Sequence, residues 1–244
     1  MIRAIEELSI NAWPALETML YDGWVLRFAN GYTRRANSVN PLYPSALSVG
    51  EKIQTCEYLY RSKGLPVVFK MTSTVFPENL DSELDHLGYQ VQAPTSVQLL
   101  QLDGIGEGQK RASIVCETLS EDWLTDFWRL SDVNKQHQAA QQQMLSQLAP
   151  QAGFFSIRQD RQTIACGMGV VQGQFVGLFD IVTDVDRRNH GHGRQLVSDL
   201  LAWGKERGAQ TAYLQVMLNN PIAQRLYAKL GFKESYQYWY RVKR

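Results

Sequence analysis

A glycine turn between a strand-like segment and a helix-like segment is the first place where the residue types suggest chemistry. It reads Arg-Asn-His-Gly-His-Gly from Arg188 to Gly193 and follows the strand-like stretch FVGLFDIVT. Apolar residues then recur at helical spacing, at Leu196, Val197, Leu200, Leu201 and Trp203. Backbone N–H groups at a helix N-terminus are unpaired and partly positive, and glycine lets an anion approach them closely. The pattern predicts a phosphate site, with Arg188 and Arg194 adding full charges at its two ends.

Two better-known phosphate motifs lack essential parts in this turn. No GK[ST] is present, so a Walker-type loop would have neither its lysine nor its magnesium-binding hydroxyl. The dinucleotide fingerprint requires a small residue three places after Gly193, where Leu196 stands, and an acid at the right distance within a βαβ unit. What remains is a pyrophosphate held by a single helix end, or a plain glycine-rich turn that binds nothing.

A second helix-like stretch, PIAQRLYAKLGF, has clear start and stop signals. Asn220 fits an N-cap, Pro221 fits the first helical position, and Gly231 fits the position just past the end. Tyr227 lies about two turns beyond Asn220 on nearly the same side of the helix. Taken alone, this pattern is also typical of a capping asparagine followed by an ordinary core tyrosine.

Composition narrows the classes of function. The chain has 244 residues, 44% of them hydrophobic, which suits one large domain or two small ones. Twenty-five Lys and Arg against 24 Asp and Glu give a net charge of +1, so no summed field attracts nucleic acid or an anionic membrane. Three widely spaced cysteines without a CxxC pair argue against a disulfide framework and a zinc site. The cysteine spacing also leads us to expect no metal. No apolar run is long enough to span a bilayer, and the N-terminus has acids where a signal peptide would be hydrophobic. No membrane partner and a cytoplasmic location are therefore expected.

A repeated pattern indicates how the chain divides. In the second half, QLVSDLLAWGKERG runs into TAYLQVML and then PIAQRLYAKLGF; in the first half, KIQTCEYLYRSKG runs into LPVVFKMT and then ENLDSELDHLGY. Gly64 and Gly208 keep the same separation as Gly88 and Gly231, to within one residue. Chance agreement over such a length is improbable, so the halves are predicted to be two copies of one unit.

The match extends upstream to two predicted hairpins, one turned at Asn30-Gly31 and the other at Gln172-Gly173. The chain is therefore predicted to form two tandem α/β units, residues 1–105 and 106–244, divided near the polar, glycine-spaced stretch LDGIGEGQKR. Between hairpin and helix the first copy has NPLYPSALSVGEKI, with prolines and no GxG. Only the second copy is expected to build the anion site.

The second half resembles the GNAT superfamily of N-acetyltransferases, in which Q/R-x-x-G-x-G/A at a helix start holds the pyrophosphate of acetyl-CoA. Arg188, Gly191 and Gly193 match that motif. The family pattern N-x-x-A-x-x-x-Y-x-x-x-G-F is matched by Asn220, Ala223, Tyr227, Gly231 and Phe232. The resemblance is good from about Glu117 onward and weak before it. It implies a mixed α/β (α+β) fold of two tandem GNAT-like units, each a twisted mixed sheet flanked by helices, the N-terminal one degenerate.

The same resemblance implies the site, with acetyl-CoA as co-substrate and no metal. Backbone N–H groups of Ile181, Val182 and Thr183 are implied to bind the thioester carbonyl and the pantetheine arm. Many relatives have Val at position 183 and Pro at 185, where this chain has Thr and Val, but neither change removes a donor. The residues implied to hold the cofactor's diphosphate and adjoining groups are Arg188, Asn189, His190, Gly191, His192, Gly193, Arg194 and Asn220.

Two side chains are implied to take part in the chemistry. Tyr227 is implied to face the departing sulfur. Asp180 is the candidate base that removes the amine proton directly or through water, the alternative being a structural acid paired with Arg187 or Arg188. The glutamine-rich segment from Ser120 to Leu148 is implied to wall the acceptor site, with its glutamines on a solvated face.

The predicted function is transfer of an acetyl group from acetyl-CoA to a primary amine of a small molecule or peptide by direct transfer. The alternatives are a catalytically silent CoA-binding regulatory or scaffold protein, and a structural tandem domain that binds nothing. Asn220 and Tyr227 beside the glycine turn favour the enzyme, since a mere binder has no use for a phenol near the sulfur. The inactive copy is expected to complete the substrate cleft or a homodimer.

Overall fold

A computed structural model describes residues 1–105 and 111–243 and divides the chain into two compact units. The first unit is Met1–Ser96 together with the chain from Tyr236 onward, and the second is Val97–Ser235. Residues 106–110 of the predicted linker lie outside the described residues, and the boundary at residue 105 stays a prediction. The C-terminal strand groups with the first unit, although the sequence assigned it to the second.

The first unit contains three helices and the strands of one sheet. Its helices are α1 (Ile2–Ala12), α2 (Val49–Ser62) and α3 (Leu80–His86). Its strands are β1 (Glu17–Tyr21), β2 (Trp24–Phe28), β3 (Val39–Pro41), β4 (Val67–Thr72), the first part of β5 (Gln90–Gln101) and most of β11 (Lys233–Lys243). The order β1-β2-β3-β4-β11 is antiparallel except for the parallel pair β3 and β4.

Strand β11 belongs to the first unit because it forms a long antiparallel ladder with β4. The pairing runs from Tyr238 opposite Thr72 to Lys243 opposite Val67. All six residues of β4 are buried, as expected for a strand covered on both faces. The sequence pattern of β11 does not reveal which unit supplies its partner, since alternating apolar residues fit either sheet.

In its described residues, 97–105 and 111–235, the second unit has the strand order β5-β10-β9-β8-β7-β6 and four α-helices. Its further strands are β6 (Ile114–Cys116), β7 (Gln151–Gln159), β8 (Gln162–Gln172), β9 (Phe175–Thr183) and β10 (Thr211–Met217). Its helices are α4 (Glu121–Ser131), α5 (Lys135–Ser146), α6 (His192–Glu206) and α7 (Pro221–Lys229). Strands β9 and β10 are parallel, while the pairs from β6 to β9 are antiparallel. Sheets of mixed direction with flanking helices confirm the predicted fold class.

Helix α6 covers the second unit's sheet with the apolar face predicted from its spacing. Its five predicted apolar side chains are at most 1% exposed, and each contributes roughly 1.5–3 kcal/mol by leaving water. Gly204 allows this contact, because a Cβ there would lie only 2.7 Å from Cγ1 of Val176 on β9. Close packing on β9 places the start of α6 beside the end of that strand.

The internal repeat is visible in the order of the elements. In the first unit β3 is followed by α2, β4 and α3; in the second, β9 is followed by α6, β10 and α7. The glycines that follow these helices, Gly64, Gly88, Gly208 and Gly231, all have φ between +67° and +94°. The same left-handed helix ending therefore recurs at each predicted repeat position.

The predicted first hairpin is wrong in its second strand. Asn30 and Gly31 do turn the chain with φ of +50° and +72°, but a short 3-10 helix follows at Arg34–Ala36, and β3 begins only at Val39. The side chain of Asn37 holds this excursion by accepting the N–H groups of Ala29 and Gly31 at 2.8 and 3.0 Å. A side-chain acceptor thus replaces the strand ladder that the sequence pattern predicted.

The second predicted hairpin is confirmed as β8 and β9. Gln172 lies opposite Phe175, so the turn residues are Gly173 and Gln174 rather than Gln172 and Gly173. Gly173 has φ +57°, a conformation that suits the two-residue hairpin turn.

Candidate active site

Helix α6 begins with an exposed turn whose backbone suits an anion. Gly191 is the N-cap, with φ +85°, and no side chain caps the helix. The N–H groups of His192, Gly193 and Arg194 therefore have no acceptor within the helix. A Cβ built on Gly191 would meet nothing within 4 Å, so the space in front of the turn is open. This geometry can accept a phosphate against backbone donors.

The loop before α6 has a second left-handed residue, Asn189, with φ +63°. Arg188 before it is extended, and Gly191 two residues later is again left-handed, so the backbone changes direction repeatedly just before the helix. Arg188 is exposed, and its Nε donates to the carbonyl of Thr183 at 3.4 Å. The rings of His190 and His192 stack at a centroid distance of 6.2 Å. Arg188 and Arg194 thus flank the turn as exposed guanidinium groups.

Strand β9 has an extra residue, in a bulge that ends two residues before the end of the strand. The register with β8 shifts between Cys166 and Met168, which lie opposite Val182 and Phe179. Asp180 occupies this bulge with φ +51°. Bulges re-aim side chains near functional sites, and here the bulge turns Asp180 out of the regular ladder.

Beyond the bulge, Val182 and Thr183 pair again with β8. On the other edge of β9, the ladder with β10 ends at Leu178 opposite Leu214, although both strands continue. The segment from Ile181 to Thr183 is half-buried and lies next to α6. It therefore forms a strand edge beside the anion turn.

Helix α7 confirms its predicted boundaries. The Asn220 side chain accepts the Ala223 N–H at 3.1 Å, Pro221 is the first helical residue, and Gly231 follows with φ +94°. Tyr227 is 8% exposed within the core of the second unit, and its ring meets that of Phe232 edge-on at 5.9 Å.

Burial raises the pKa of Tyr227 to about 12, so its phenol stays protonated throughout the physiological range. Full proton transfer from this phenol to a thiolate of pKa about 8.5 would run uphill by about 5 kcal/mol, compared with about 2 kcal/mol for an unperturbed phenol. Tyr227 is therefore suited to donate a hydrogen bond rather than to give up its proton.

The first turn of α6 contacts both β9 and α7. A Cβ at Gly193 would lie 3.4 Å from Oγ1 of Thr183 and 3.6 Å from Cδ2 of Leu226, the residue before Tyr227. The structure thus brings together the three parts of the predicted site: the glycine turn before α6, the strand edge at 181–183, and helix α7 with Tyr227. The individual roles of these residues stay predictions.

Asp180 is in contact with a helix that the sequence did not connect to it. Its Oδ2 accepts from Nε2 of Gln141 on α5 at 3.3 Å. Arg188, one of the two partners predicted in the structural alternative, is bonded to Thr183, and Arg187 is exposed. The contact with Gln141 places the Asp180 carboxylate against α5, and its role as base or as structural acid stays a prediction.

Comparison with known proteins identifies the family. The family model described as "Probable histone acetyltransferase Rv0428c C-terminal" matches residues 1–241. The chain belongs to this acetyltransferase family. It is also 30% identical to "Uncharacterized N-acetyltransferase YobR" of Bacillus subtilis, over 100% of this chain and 99% of that protein. The predicted GNAT relationship is confirmed, and the chain is an acyltransferase of the GNAT type.

Solved structures support the same fold at low sequence identity. A GCN5-related N-acetyltransferase from Kribbella flavida superposes with a TM-score of 0.72 at 12% identity, over 99% of this chain and 95% of that one. A tandem GNAT protein from the clavulanic acid biosynthesis pathway gives a TM-score of 0.67 at 11% identity, over 98% and 87% of the two chains. The tandem GNAT arrangement thus has a solved counterpart.

Sequence reasoning missed two residues that contact the end of β9 or the residue that follows it. Arg129 of α4 donates to the carbonyl of Thr163 at 2.6 Å and lies 3.4 Å from Oδ2 of Asp184, the residue that follows β9. Gln141 was expected on a solvated face but is fully buried. A usable signal existed for Gln141, since Met144 and Leu145, three and four residues later, indicate the buried face of α5.

The first unit fills the equivalent position with its own carboxylate. Asp22 accepts the N–H groups of Ala46 and Leu47 at 2.9–3.1 Å, just before Ser48 caps α2. These amides lower the pKa of Asp22, with smaller contributions from Lys52. Counted back from the N-caps Ser48 and Gly191, the amides of Ala46 and Leu47 correspond to those of Asn189 and His190. In the first unit these backbone donors are therefore already bound to a carboxylate.

Neither a metal cluster nor a membrane-spanning helix is found in residues 1–105 and 111–243. No cluster of three His, Cys, Asp or Glu side chains there is arranged to hold a metal ion. Among the helices of that same part of the chain, none combines the length and the apolar character needed to cross a bilayer.

Proposed function

We propose that this GNAT acyltransferase transfers an acetyl group from acetyl-CoA directly to a primary amine of a small molecule or a peptide. The observation that supports it most is the contrast between the two copies. The α6 turn in the second unit is open, left-handed at Gly191 and flanked by arginines, whereas Asp22 already occupies the α2 turn in the first. Helix α7, which carries Tyr227, contacts the first turn of α6 in the same unit.

The proposed cofactor site uses main-chain donors for the phosphates and charged side chains around them. The amides from Asn189 to Arg194 bind the diphosphate, and the guanidinium groups of Arg188 and Arg194 neutralise it. His190 and His192 border the same anion, and Asn220 lies at the start of α7 on the cofactor's path. The edge from Ile181 to Thr183 binds the pantetheine arm and the thioester carbonyl with backbone N–H groups.

In the proposed reaction the amine nitrogen attacks the thioester carbonyl carbon, the C–N bond forms and the C–S bond breaks. The proton lost by the amine goes to Asp180 directly or through water. The electron pair of the broken bond goes to sulfur, where a hydrogen bond from Tyr227 stabilises the thiolate until solvent protonates it. An ammonium of pKa about 10.4 is neutral in only about one part in a thousand at pH 7.4, which is why a proton acceptor is needed.

The acceptor amine could belong to a small molecule or to a peptide, and the test should include both classes. The description of the family as a probable histone acetyltransferase supports a lysine side chain within a peptide. The near-neutral charge of this chain provides no general attraction for a strongly basic or acidic acceptor. Acceptor choice therefore depends on local contacts, and polyamines, aminoglycosides, amino acids and peptides are suitable substrates for a panel.

The experiment is a thiol-release assay with acetyl-CoA over that panel, with Tyr227→Phe and the control Tyr58→Phe, which alters an exposed tyrosine on α2. Tyr227→Phe is expected to lower kcat by about 10²-fold, because one transition-state hydrogen bond is lost, while calorimetry shows unchanged CoA affinity. Tyr58→Phe is expected to match the wild type.

Three outcomes would count against the proposal in different ways. Unchanged turnover in Tyr227→Phe would remove Tyr227 from the mechanism. CoA binding without turnover on any amine would instead support the silent CoA-binding alternative. A protein that ignores CoA in calorimetry would contradict the cofactor site itself.

A further inference from the structure

Gln141 is a polar side chain with no exposed surface, on a helix that faces the site. It lies on α5 and is 0% exposed, among the buried neighbours Ala140, Met144 and Leu145. Burying an amide without partners costs several kcal/mol on the least favourable scales. A leucine would fill the same space without that cost, so the amide needs an explanation beyond packing.

Both ends of the Gln141 amide are engaged. Oε1 accepts from the indole Nε1 of Trp128 on α4 at 2.9 Å, and Nε2 lies 3.3 Å from Oδ2 of Asp180. An indole N–H can only donate, so the atom it contacts must be the amide oxygen. The amide orientation is thereby fixed, and the NH₂ group is directed at Asp180.

This orientation determines what the facing oxygen of Asp180 does. An NH₂ group can only donate, so Oδ2 must accept, and a donor of this kind favours the ionised carboxylate over the protonated acid. The backbone of Asp180 is left-handed, with φ +51°, in the β9 bulge. Such conformations persist where surrounding structure holds them, and the Trp128–Gln141 pair is part of that structure.

Strand β8 and the helices α4 and α5 contact β9 or Asp180 itself, and each carries titratable groups. Cys166 on β8 is buried, and burial is the main cause of its raised pKa, with the charges of Asp180 and Asp126 adding to it. Arg129 on α4 opposes this effect on the same thiol. His137 is half-buried on α5, one turn before Gln141.

We propose that Gln141 is a positioning residue that holds the Asp180 carboxylate ionised and correctly aimed for proton acceptance, with Trp128 fixing the amide. The inference rests on the proposed function, in which Asp180 takes the amine proton. Gln141 acts only through Asp180, so its loss should affect the protonation of Asp180 and the rate, and leave cofactor affinity alone.

The test compares Gln141→Glu with Gln142→Glu, which adds the same charge at the neighbouring exposed position on α5. In Gln141→Glu a second carboxyl faces Asp180, and two carboxyls in contact share a proton, which raises the pKa of the pair. The acid limb of kcat/KM against pH is expected to move up by about one unit or more. Gln142→Glu is expected to leave that limb in place.

A second readout does not depend on turnover. Asp side chains labelled with ¹³C at the carboxyl carbon give an NMR titration, and Asp180→Asn assigns the Asp180 signal. Gln141→Glu is expected to raise the titration midpoint of Asp180, and Gln142→Glu is not. Gln141→Leu, which keeps the apolar packing, is expected to lower kcat about tenfold with CoA affinity unchanged.

The possible results separate the two claims. A folded Gln141→Glu protein that binds CoA and shows an unmoved acid limb and an unmoved Asp180 titration would overturn the role of Gln141. A wild type that acetylates no amine would overturn the proposed function, and the NMR titration would still decide whether Gln141 controls Asp180.

Discussion

Gly191 and Gly193 lie in the same turn but meet different constraints. At Gly191 a side chain would have open space, yet the backbone has φ +85°. At Gly193 the backbone is helical, and a Cβ would make ordinary contacts of 3.4 and 3.6 Å with Thr183 and Leu226. The first glycine is required by conformation, while the second leaves room for alanine, which agrees with the G/A alternative in the family motif.

We therefore expect Gly191→Ala to weaken CoA binding about tenfold, because a left-handed alanine costs about 1–2 kcal/mol and the turn relaxes away from the anion-binding shape. Gly193→Ala is the matched control and is expected to stay within about threefold of the wild type. Calorimetric titration with CoA measures both. Equal affinities for the two variants would show that the left-handed N-cap does not shape the site.

For single residues, sequence patterns predicted correctly the positions that depend only on neighbours within the same helix. The Asn220 cap, Pro221 and the α6 face follow from spacing along one helix, and the structure confirms them. The spacing of Met144 and Leu145 indicates that Gln141 is buried, but its bonds could not be found in the same way, because they depend on Trp128 of α4 and Asp180 of β9. A glutamine within a run of glutamines gives no local sign of being bonded at both ends.

Helix starts are the elements in which the two copies differ most. Helix α6 begins with an uncapped glycine, whereas α2 begins with Ser48 as N-cap, preceded by amides bound to Asp22. Sequence comparison found that the first copy lacks GxG, but not that an aspartate from the β1–β2 turn fills its place. Asp22 and the amides of Ala46 and Leu47 are 24 and 25 residues apart in the chain. No periodic sequence pattern predicts such a contact.

Asp22→Asn is expected to destabilise the protein at pH 7, since it removes a carboxylate that binds two amides and lies 3.3 Å from the buried Lys52 ammonium. The folded-state pKa of Asp22 is lowered, so its stabilisation is present above the unfolded value near 3.9 and is lost as pH falls through the folded value.

Urea midpoints of the wild type and Asp22→Asn should therefore differ at pH 7 and converge as the pH falls through the lowered folded-state pKa of Asp22. Glu17→Gln is the control, since it removes an acid whose ion pair with Lys63 is largely exposed, and such pairs contribute little. A difference that persists unchanged at low pH would mean that the charge of Asp22 is not the source.

At the scale of the whole molecule, the first unit contains a buried polar cluster that ties together distant parts of the chain. Nζ of Lys70 on β4 lies 2.5 Å from Oε2 of Glu6 on α1, and both side chains are at most 5% exposed. The hydroxyl of Tyr236 on β11 donates to Oε1 of Glu6 at 2.7 Å. Glu6 thus joins α1, β4 and β11, three elements that lie far apart in sequence.

Glu6→Ala is expected to lower the free energy of unfolding by about 3–5 kcal/mol, because it leaves the Lys70 ammonium buried without its carboxylate. The double variant Glu6→Leu, Lys70→Met is expected to recover part of that loss, since it removes both charges and keeps the volume. Thermal unfolding of the three proteins measures the difference. Single and double variants of equal stability would indicate that the pair is not coupled.

The division into units has a consequence for synthesis on the ribosome. Residues 97–235 of the second unit are contiguous, so that unit is complete as soon as Ser235 has emerged. The first unit then still lacks Tyr236 and the ladder from β11 to β4. Domains that are translated first generally fold first, but here the unit that is translated earlier must wait for β11 to be made before its sheet is whole.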